Sequence, residues 1–396
     1  MKILQICSKP PFPEKDGYAL AVNHISNALI QFFGNNLKVM AISTPKHAAE
    51  NIPPQYLSVT DFEHIFIDTN VKILPAFQNL FSKSSYNTNR FYSNTFAKRL
   101  KKILKENSFD IVLLEGLFVC PYLEVISTNS NAKIVLRAHN VESDIWKGLA
   151  KQTNNLLKKC YLNLLQKKLS NYEKAIVSKM DGIICISEKD ANWMKKQSAK
   201  YISTIPFAID AESETNSPTE KNTLFHIGSM DWMANLNGIK WFLDKVFPLI
   251  NQQKKEAVLH LAGRSIPNYF NNFSNENVVI DGEVENAKAF MKEYNLMIVP
   301  LWSGSGIRIK ILEAMALGKT IISTSIGASG INYSDKKNIL IADTPEQFAN
   351  QIIWCFENPF ESRKIGEKAK DNILENYSTK KIAENLSSFL NKIHTL

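Results

Sequence analysis

The chain has 396 residues and a formal net charge of +9, with 44% hydrophobic and 21% charged residues. This length allows two or three domains, and this composition is typical of a soluble globular protein. No stretch approaches the about 20 nearly uninterrupted apolar residues of a membrane-spanning helix. The positive charge favours phosphorylated substrates or a membrane surface. Zinc spacing, RNP-like motifs and helix-turn-helix signatures are absent, so we expect no nucleic-acid partner.

The first residues and the cysteines indicate a cytoplasmic protein. The start, MKILQICSKPPFP, has a short apolar run that Lys9 and three prolines end, which predicts a buried first strand rather than a signal peptide. The cysteines are scattered, odd in number and without metal-ligand spacing, so we expect buried thiols in a reducing compartment. They are Cys7, Cys120, Cys160, Cys185 and Cys355.

Short apolar segments alternate with longer helical patterns along the chain. The first half contains the strand-like segments MKILQIC, LKVMAIS, HIFID, DIVLLEG, KIVLRAH, DGIICIS and YISTIP. From residue 223 a second series of strand-like segments begins, with TLFHIGS, AVLHLAG, NVVIDG, LMIVPL, TIISTS and NILIAD. Strands that alternate with helices predict parallel sheets of the doubly wound type, and each set is large enough for its own domain.

The polar, turn-rich segment 207–222 predicts the domain boundary. We therefore predict an N-terminal domain over residues 1–206 and a C-terminal domain over residues 207–377. The tail is helical with a break near Tyr377–Ser378, and we expect the last helix, about 378–396, to pack back on the N-terminal domain. Two Rossmann-like domains in tandem usually hold a ligand at the carboxyl ends of their strands.

Residues 303–318 read SGSGIRIKILEAMALG and combine an apolar helical pattern with glycines and charges. Ile309, Leu312 and Ala316 recur at helical spacing, which predicts a face that packs inward. Free N–H groups and the dipole of a helix N-terminus favour an anion, and glycines let the backbone approach it closely. The segment therefore predicts an anion site, with an exposed charged helix face as the alternative.

Five segments resemble, in this order, the family-4 retaining glycosyltransferases of the GT-B fold. They are P-x-P-x-x-x-G at Pro11, Pro13 and Gly17, RAHNVES at 137–143, IPFAID at 205–210, GSMDWMANLNGIKWF at 228–242 and GSGIRIKILEAMALGKTIIST at 304–324. The set covers nearly the whole chain, and its last segment is the most specific. The resemblance implies two Rossmann-like domains facing across a cleft, the first binding the acceptor and the second the nucleotide-sugar donor.

By this resemblance, the protein is a hexosyltransferase-type enzyme that moves a sugar from a nucleotide-sugar to a saccharide or lipid-linked acceptor. The setting implied is bacterial cell-surface polysaccharide or lipopolysaccharide biosynthesis. The resemblance also implies no cofactor and no metal, because the helix dipole and basic side chains neutralise the leaving diphosphate. The alternatives are a GT-B nucleotide-sugar 2-epimerase and a non-catalytic GT-B relic that binds nucleotide-sugar.

The resemblance places the donor site around the signature segment. Arg308 is expected to chelate phosphate oxygens, and Lys310 adds a second positive charge. Glu313, about two turns from Gly306 on the face that also carries Lys310, is expected to accept hydrogen bonds from the ribose and to be catalytic. The other expected donor-binding residues are Gly17, Gly228, Ser229, Arg264, Gly304, Ser305, Gly306 and Ile307.

Two positions depart from the family pattern. Ser305 stands where the signature usually has its first glutamate, and Ser229 and Asn237 stand where the donor domain usually has an arginine and a lysine. Arg308 and Lys310 are therefore expected to supply the positive charge.

On the acceptor side, the resemblance implies a catalytic role for His139 near the anomeric centre. Asp16, Glu115 and Asn140 are expected to bind the acceptor with it. Each assignment has a structural alternative. Asn140 and Glu142 are also suited to cap the next helix, Asp16-Gly17 to form a turn, and Glu115 to end a strand.

Residues 147–179 carry eight lysines against one acidic residue, Glu173, and a second basic stretch lies at 98–105. Basic amphipathic helices suit docking on the anionic inner membrane, where each lysine adds about 1 kcal/mol. We therefore expect peripheral contact with the inner face of the cytoplasmic membrane, with a merely solvated lysine face as the alternative. An apolar stripe at helical spacing is expected to be core: Leu157, Tyr161, Leu165, Leu169, Tyr172 and Ile176.

Overall fold

The computed structural model describes residues 1–14, 17–72, 74, 78–79, 82, 84–153, 155–211, 222–274, 276–304 and 306–396. The chain divides into two compact units. The N-terminal unit comprises Met1–Ala208 and Thr379–Leu396, and the C-terminal unit comprises Ile209–Ser378.

The described part of the N-terminal unit contains a seven-stranded parallel sheet. Its strands are β1 Ile3–Cys7, β2 Leu37–Ser43, β3 Glu63–Phe66, β4 Ile111–Glu115, β5 Lys133–Ala138, β6 Gly182–Cys185 and β7 Ile202–Thr204. They lie in the order β3-β2-β1-β4-β5-β6-β7, all parallel. Every residue of β1, β2 and β4 is buried, as expected for a parallel sheet with helices on both faces.

Helices cover both faces of this sheet. Those with bounds that the structure describes within the first 208 residues include α1 Gly17–Phe33, α2 Pro54–Thr60, α3 Tyr86–Asn89, α4 Asn94–Glu106, α5 Leu123–Asn129, α6 Glu142–Gln152, α7 Leu156–Val177 and α8 Glu188–Lys195. Two 3₁₀ segments, Gly34–Asn36 and Leu117–Tyr122, join them.

The described part of the C-terminal unit contains a six-stranded parallel sheet. Its strands are β8 Thr223–Ile227, β9 Val258–Ala262, β10 Val278–Gly282, β11 Leu296–Val299, β12 Thr320–Ser323 and β13 Leu340–Ile341, in the order β10-β9-β8-β11-β12-β13. Its helices are α9 Met233–Trp241, α10 Phe247–Gln253, α11 Ala287–Lys292, α12 Ile309–Ala316, α13 Pro345–Glu357 and α14 Pro359–Asn376, with a π segment at Phe242–Val246 and a 3₁₀ segment at Asn268–Phe273.

The last helix, α15 at Thr379–His394, belongs to the N-terminal unit and packs against α1. The alternation of side chains along β1 separates the two cores of this unit. Leu4 and Ile6 face the core that α4 and α7 cover, whereas Ile3 and Cys7 face the core of α1 and α15.

Each of the predicted strand segments contains a strand, so the predicted pair of doubly wound parallel sheets is confirmed. The first residues of the predicted linker are buried, which differs from the polar linker that the sequence predicted. Phe207, Ala208 and Ile209 are buried, and the backbone N–H of Ile209 donates to the carbonyl of Tyr377 at 2.8 Å. Residues 212–221 of that segment lie outside the described residues.

Among the helices that the structure describes, none combines the length and the hydropathy that crossing a membrane requires.

Candidate functional site

Each sheet reverses its strand order beside its first strand, between β1 and β4 in one unit and between β8 and β11 in the other. In doubly wound folds, ligands bind outside the carboxyl ends of the strands at such a switch point. Many of the predicted site residues follow strands at these two places, and they form one group in each unit.

Glu115 ends β4 in the N-terminal unit and is fully buried. Its Oε1 accepts a hydrogen bond from Nε2 of Gln5 at 2.8 Å, and its Oε2 lies 3.0 Å from a guanidinium nitrogen of Arg137 and 2.8 Å from Nε2 of His139. Burial alone would raise the pKa of Glu115, but the charge of Arg137 and the hydrogen bonds from His139 and Gln5 lower it to about 2. Glu115 is therefore an ionised carboxylate inside the unit.

This burial changes the interpretation of Glu115. The sequence suggested that it binds acceptor hydroxyls, but a fully buried carboxylate with partners on both oxygens has no surface to offer a ligand. The alternative, that Glu115 ends a strand, matches its place at the end of β4. Its contact with His139 makes it a residue that orients the imidazole.

His139 follows β5 and keeps 13% of its side chain exposed. Burial, together with the charge of Arg137, lowers the pKa of His139 against the opposing effect of Glu115, so the neutral ring is favoured. Because Glu115 is an ionised acceptor, Nε2 of His139 carries the proton and donates it. Nδ1 is then left as a hydrogen-bond acceptor.

Tyr18 is a site residue that sequence reasoning missed. Its ring stacks on His139 with centroids 4.7 Å apart. Its hydroxyl accepts from the backbone N–H of Ser8 at 2.9 Å and lies 3.2 Å from the carbonyl oxygen of Glu115, to which it donates. Nζ of Lys9 lies 4.7 Å from the centre of the same ring. Its position could have identified it, because Tyr18 directly follows Gly17, the last residue of the P-x-P-x-x-x-G segment.

Gly17 is the first residue of α1. Asp16, which was expected to bind the acceptor or to form a turn, lies outside the described residues. The 17-residue helix α1 begins at Gly17, which is the last residue of the loop segment expected to contact the ligand.

Of the two residues suggested to cap the next helix, Glu142 lies in its first turn as expected, whereas the capping role of Asn140 is wrong. Helix α6 begins at Glu142 after Val141, and no side chain of its own segment caps it. Instead, Glu173 of α7 accepts from the backbone N–H groups of Glu142 at 2.9 Å and Ser143 at 3.2 Å. Burial and the nearby Glu173 raise the pKa of Glu142 to about 8. Asn140 is half-buried directly after His139.

Lys310 is the centre of the group in the C-terminal unit. From the first turn of α12, its Nζ donates to the carbonyl of Ile227 at 3.1 Å, to Oδ1 of Asn235 at 2.9 Å and to Nε2 of His226 at 3.3 Å. Three acceptors match the three hydrogens of an ammonium group. Burial, and then the charge of Arg308, lower the pKa of Lys310 to about 7.

His226 is fully buried in β8 and contacts the ammonium group of Lys310. Its Nδ1 donates to the carbonyl of Ile298 at 2.9 Å, which leaves Nε2 as the acceptor for Lys310. Burial and the charge of Lys310 hold the pKa of His226 well below its usual value, so the ring is neutral.

Asn235 is the second residue that sequence reasoning missed, although it lies in the quoted segment GSMDWMANLNGIKWF. It is buried in α9, accepts from Lys310 and donates from Nδ2 to the carbonyl of Ser229 at 2.7 Å. A Cβ on Gly228 would lie 2.8 Å from Nδ2 of Asn235 and 2.9 Å from Nζ of Lys310, so a larger residue there would displace these two side chains.

Arg308 precedes α12 and is only 5% exposed. Its guanidinium lies 5.1 Å from the centre of a Trp232 ring and donates to the carbonyl of Gly306. Burial lowers the pKa of Arg308 to about 10, so it stays charged at neutral pH. A Cβ on Gly304, where φ is +118°, would come within 2.7 Å of Trp232 and 2.8 Å of Arg308. The glycine therefore permits this close packing.

The helix begins later than the sequence suggested. Because α12 starts at Ile309 and Gly306 has φ +81°, the expected helical relation of Gly306 to Glu313 does not exist. Lys310 and Glu313 do share α12, three residues apart. Leu312 and Ala316 are buried as predicted, whereas Ile309 is only half-buried. Ser305 lies outside the described residues, and Ile307 is half-buried between Gly306 and Arg308.

Glu313 is half-buried, and its carboxylate accepts no hydrogen bond within the part of the chain that the structure describes. Burial raises the pKa of Glu313, with Lys288 opposing the shift. The carboxylate of Glu313 thus differs from that of Glu115, both of whose oxygens have hydrogen-bond partners in the protein.

The remaining predicted donor residues lie in the loops after β8 and β9. The hydroxyl of Ser229 donates to Asp231 at 3.1 Å. The side chain of Arg264 is exposed, and its carbonyl accepts from the backbone N–H of Met230 at 2.9 Å. A Cβ on Gly263 would lie 2.0 Å from the carbonyl oxygen of Gly228, so the two loops touch through their backbones.

The described residues contain no group of three or more His, Cys, Asp and Glu side chains placed to hold a metal ion.

Two family models match the chain over separate segments. The model for Glycosyltransferase Family 4 matches residues 38–213, and the model for Glycosyl transferases group 1 matches residues 221–358. These matches support a glycosyltransferase of the GT-B fold.

Similar proteins include an uncharacterized 44.6 kDa protein in the cps region of Klebsiella pneumoniae. It is 27% identical over 294 residues, which are 72% of this chain and 75% of that protein. An uncharacterized glycosyltransferase of Methanocaldococcus jannaschii is 26% identical over 229 residues, which are 52% of this chain and 57% of that protein.

Solved structures share the fold at low sequence identity. Sucrose-phosphate synthase from Thermosynechococcus elongatus has a TM-score of 0.70 at 14% identity over 100% of both chains. The lipopolysaccharide outer core galactosyltransferase WaaB has a TM-score of 0.66 at 15% identity over 99% of both chains. HepE of Anabaena in complex with UDP has a TM-score of 0.65 at 12% identity, covering 99% of this chain and 100% of that one. The GT-B fold predicted from the sequence is thereby confirmed.

Proposed function

We propose that this protein is a retaining, metal-independent glycosyltransferase that moves a sugar from a nucleotide-sugar to a saccharide or lipid-linked acceptor. One observation carries the proposal. Buried Arg308 and half-buried Lys310 flank the start of α12, and the carboxylate of Glu313 lies on the same short helix. Cations at a helix N-terminus suit a diphosphate, and a nearby carboxylate suits the hydroxyls of a ribose.

On the donor side, we assign the diphosphate to Arg308, Lys310 and the backbone around Gly304, Gly306 and Ile307. Lys310 already has three protein acceptors, so it acts as a positive charge or exchanges one of them for a phosphate oxygen. The contact with His226, at 3.3 Å, is the longest of the three and the one most readily exchanged. We assign lesser donor roles to Gly17, Gly228, Ser229, Arg264 and Ser305, and the ribose to Glu313.

On the acceptor side, we assign His139 to the reacting sugar, with Asn140 and Asp16 as neighbours. A neutral imidazole whose Nδ1 accepts is suited to receive a hydrogen bond from a sugar hydroxyl. The bond between the anomeric carbon and the diphosphate breaks, and a bond from the acceptor oxygen to that carbon forms on the same face. The proton of the acceptor hydroxyl passes to the leaving phosphate, so the reaction needs neither a protein nucleophile nor a cofactor.

The proposed setting is bacterial cell-surface polysaccharide biosynthesis, on the inner face of the cytoplasmic membrane. It is supported by the relative in the cps region of Klebsiella pneumoniae and by the structural likeness to WaaB, named as a lipopolysaccharide galactosyltransferase. A variant of TarM from S. aureus, which shares the fold, has been crystallised with UDP and alpha-GlcNAc-glycerol. The basic helices of the N-terminal unit favour peripheral contact with an anionic membrane.

The proposal is tested by a thermal-shift panel of UDP, GDP, ADP, TDP and CMP, each with EDTA and with Mg²⁺. A nucleotide at about 100 times its dissociation constant adds roughly 2.7 kcal/mol of stability. We expect one nucleotide to shift the melting temperature equally in EDTA and Mg²⁺, and Arg308→Ala to abolish the shift. A shift that requires Mg²⁺ would overturn metal independence, and no shift with any nucleotide would overturn the donor site.

The matching nucleotide-sugars then distinguish the activities. A transferase releases nucleoside diphosphate, slowly with water and faster with acceptor. Interconversion of the donor sugar without release would instead identify an epimerase, and binding without turnover would identify a relic.

A further inference from the structure

Helix α7 has two apolar faces, and its first turns expose one of them. Successive residues turn by about 100° around the helix axis, so Leu157 projects about 140° away from Leu162, and Leu164 projects about 160° away from it. Leu162 and Leu169 are buried, with Leu169 in the core under the sheet. The stripe expected to be core is therefore core only in its later part, from Leu165 to Ile176.

The outer face is strongly exposed. Leu156 is 77% exposed and Leu157 is 84% exposed, which are the two highest values among the exposed large apolar side chains of the described residues. Leu149, Tyr161 and Leu164 add further exposed apolar surface at the end of α6 and along α7. We call the segment 147–164 without residue 154 the α6–α7 tip. Clustered exposed apolar side chains mark an interaction site more often than scattered ones.

The tip is also uniformly basic. It carries Lys147, Lys151, Lys158 and Lys159, all exposed, and no acidic residue occurs from Lys147 up to Glu173. Lys158 and Lys159 directly follow Leu157 in the chain and are exposed, and long lysine stems can extend along a helix surface past its leucines to a charged surface. Apolar side chains bordered by lysines match the layered chemistry of an anionic lipid surface.

We infer that the α6–α7 tip inserts its exposed leucines into the headgroup region of an anionic bilayer. This inference extends the membrane contact proposed above by naming the element that makes it. It does not depend on the transfer reaction, because vesicle binding is measured without donor or acceptor.

The chemistry of the α6–α7 tip disfavours two other binding partners, a second copy of the chain and a polyanion. A two-fold contact between copies of the chain would bring the same four lysines against each other. A polyanion such as nucleic acid would pair with the lysines but would leave the leucines in water. Only a surface that is both anionic and apolar accommodates both classes of side chain.

The first experiment is sedimentation of the full chain with vesicles of phosphatidylcholine alone or with added phosphatidylglycerol. We expect binding to the anionic vesicles only. Leu156→Ser with Leu157→Ser should weaken binding at least about tenfold. Lys158→Gln with Lys159→Gln should weaken it by roughly thirtyfold at low salt. The control is Leu374→Ser, which changes an exposed leucine of α14 and should leave binding unchanged.

The exposed thiol of Cys160 provides a second readout, because the other four cysteines are buried. An environment-sensitive dye on Cys160 should shift its emission to shorter wavelength with anionic vesicles and not with phosphatidylcholine. Binding that persists in the double serine variant, an unshifted dye, or concentration-dependent dimers without lipid would each overturn the inference. Nucleotide binding measured on the same variants shows that they are folded and separates this outcome from failure of the donor site.

Discussion

Oδ1 of Asn235 and Nζ of Lys310 lie 2.9 Å apart, although 75 residues separate them in the chain. The same amide donates to the carbonyl of Ser229, so Asn235 ties the loop after β8 to the first turn of α12. A lysine that three acceptors hold in this way keeps its charge in one place. The geometry of the proposed diphosphate site thus depends on a side chain to which the proposal gives no ligand contact.

Replacing Asn235 by alanine should therefore weaken nucleotide binding. The change removes one acceptor of the Lys310 ammonium, and a hydrogen bond to a charged group contributes about 1.5–3 kcal/mol. We expect the dissociation constant for the preferred nucleoside diphosphate to rise about tenfold or more by calorimetry. Asn237→Ala, an exposed asparagine on the same helix, is the matched control and should bind normally. Equal affinities in the two variants would exclude a positioning role for Asn235.

The affinity for nucleoside diphosphate should also depend on pH through Lys310. Burial and Arg308 lower the pKa of Lys310 to about 7, so in the free protein the amine loses its proton as the pH rises through about 7. The neutral amine attracts the diphosphate less, so affinity should be higher below this pH and fall above it. Calorimetry from about pH 6.5 to about pH 9 covers this change and stays above the phosphate pKa of about 6.

The control for the pH dependence is Lys310→Met, which keeps the length of the side chain without a titrating group. Its affinity should be lower and nearly constant over the same range. A variant that retains the full pH dependence would show that another group causes it.

Replacing Glu313 by alanine should abolish transfer and leave the fold intact. Burial raises the pKa of Glu313, which shows that the site disfavours its charge, so removing the carboxylate should not lower the melting temperature. Release of nucleoside diphosphate from the donor measures the activity. Glu293→Ala, which removes an exposed glutamate after α11, should behave as the unmodified protein. Near-normal turnover in Glu313→Ala would mean that Glu313 is not a site residue.

The sequence predicted the strands well because buried parallel strands are short apolar runs with turns between them, as TLFHI and VLHLA illustrate. It also identified Lys310, because the resemblance covers that segment. It could not identify what Lys310 contacts, since His226 looks like any polar residue in a strand and its bond to Ile298 depends on strand pairing. Glu173 could not be recognised as the cap of α6, because that contact joins residues about 30 positions apart.

The burial of α7 illustrates a second limit of prediction from the sequence. Leu157 and Leu165 fit the same helical stripe in the sequence, yet one is 84% exposed and the other 6%. Periodicity shows which residues share a face, but it does not show how far a helix extends beyond the layer that covers it.

The buried pair of Glu115 and Arg137 should dominate the acid sensitivity of the N-terminal unit. Folding lowers the pKa of Glu115 from its usual 4.5 to about 2, so the ionised carboxylate stabilises the fold. This contribution is fully present above about pH 4.5 and is lost as the pH falls towards 2. Glu115→Gln leaves Arg137, only 1% exposed, as a buried charge without its partner. We expect a loss of about 3–5 kcal/mol at neutral pH in denaturant unfolding.

Glu63 offers a matched comparison, because hydrogen bonding to Arg99 also lowers its pKa to about 2, against the opposing effect of burial. Glu63 and Arg99 are 25% and 37% exposed, however, and such a solvated pair contributes only about 0–1 kcal/mol. Glu63 also pairs with Lys38, which is 9% exposed but keeps Asp61 as a second partner when Glu63 is replaced. Glu63→Gln should therefore change the unfolding free energy little, although the two carboxylates titrate alike. Removing both partners, in Glu115→Gln with Arg137→Met, should recover part of the loss, because no uncompensated charge is left inside. If Glu115→Gln costs no more than Glu63→Gln, burial is not what makes the first pair important.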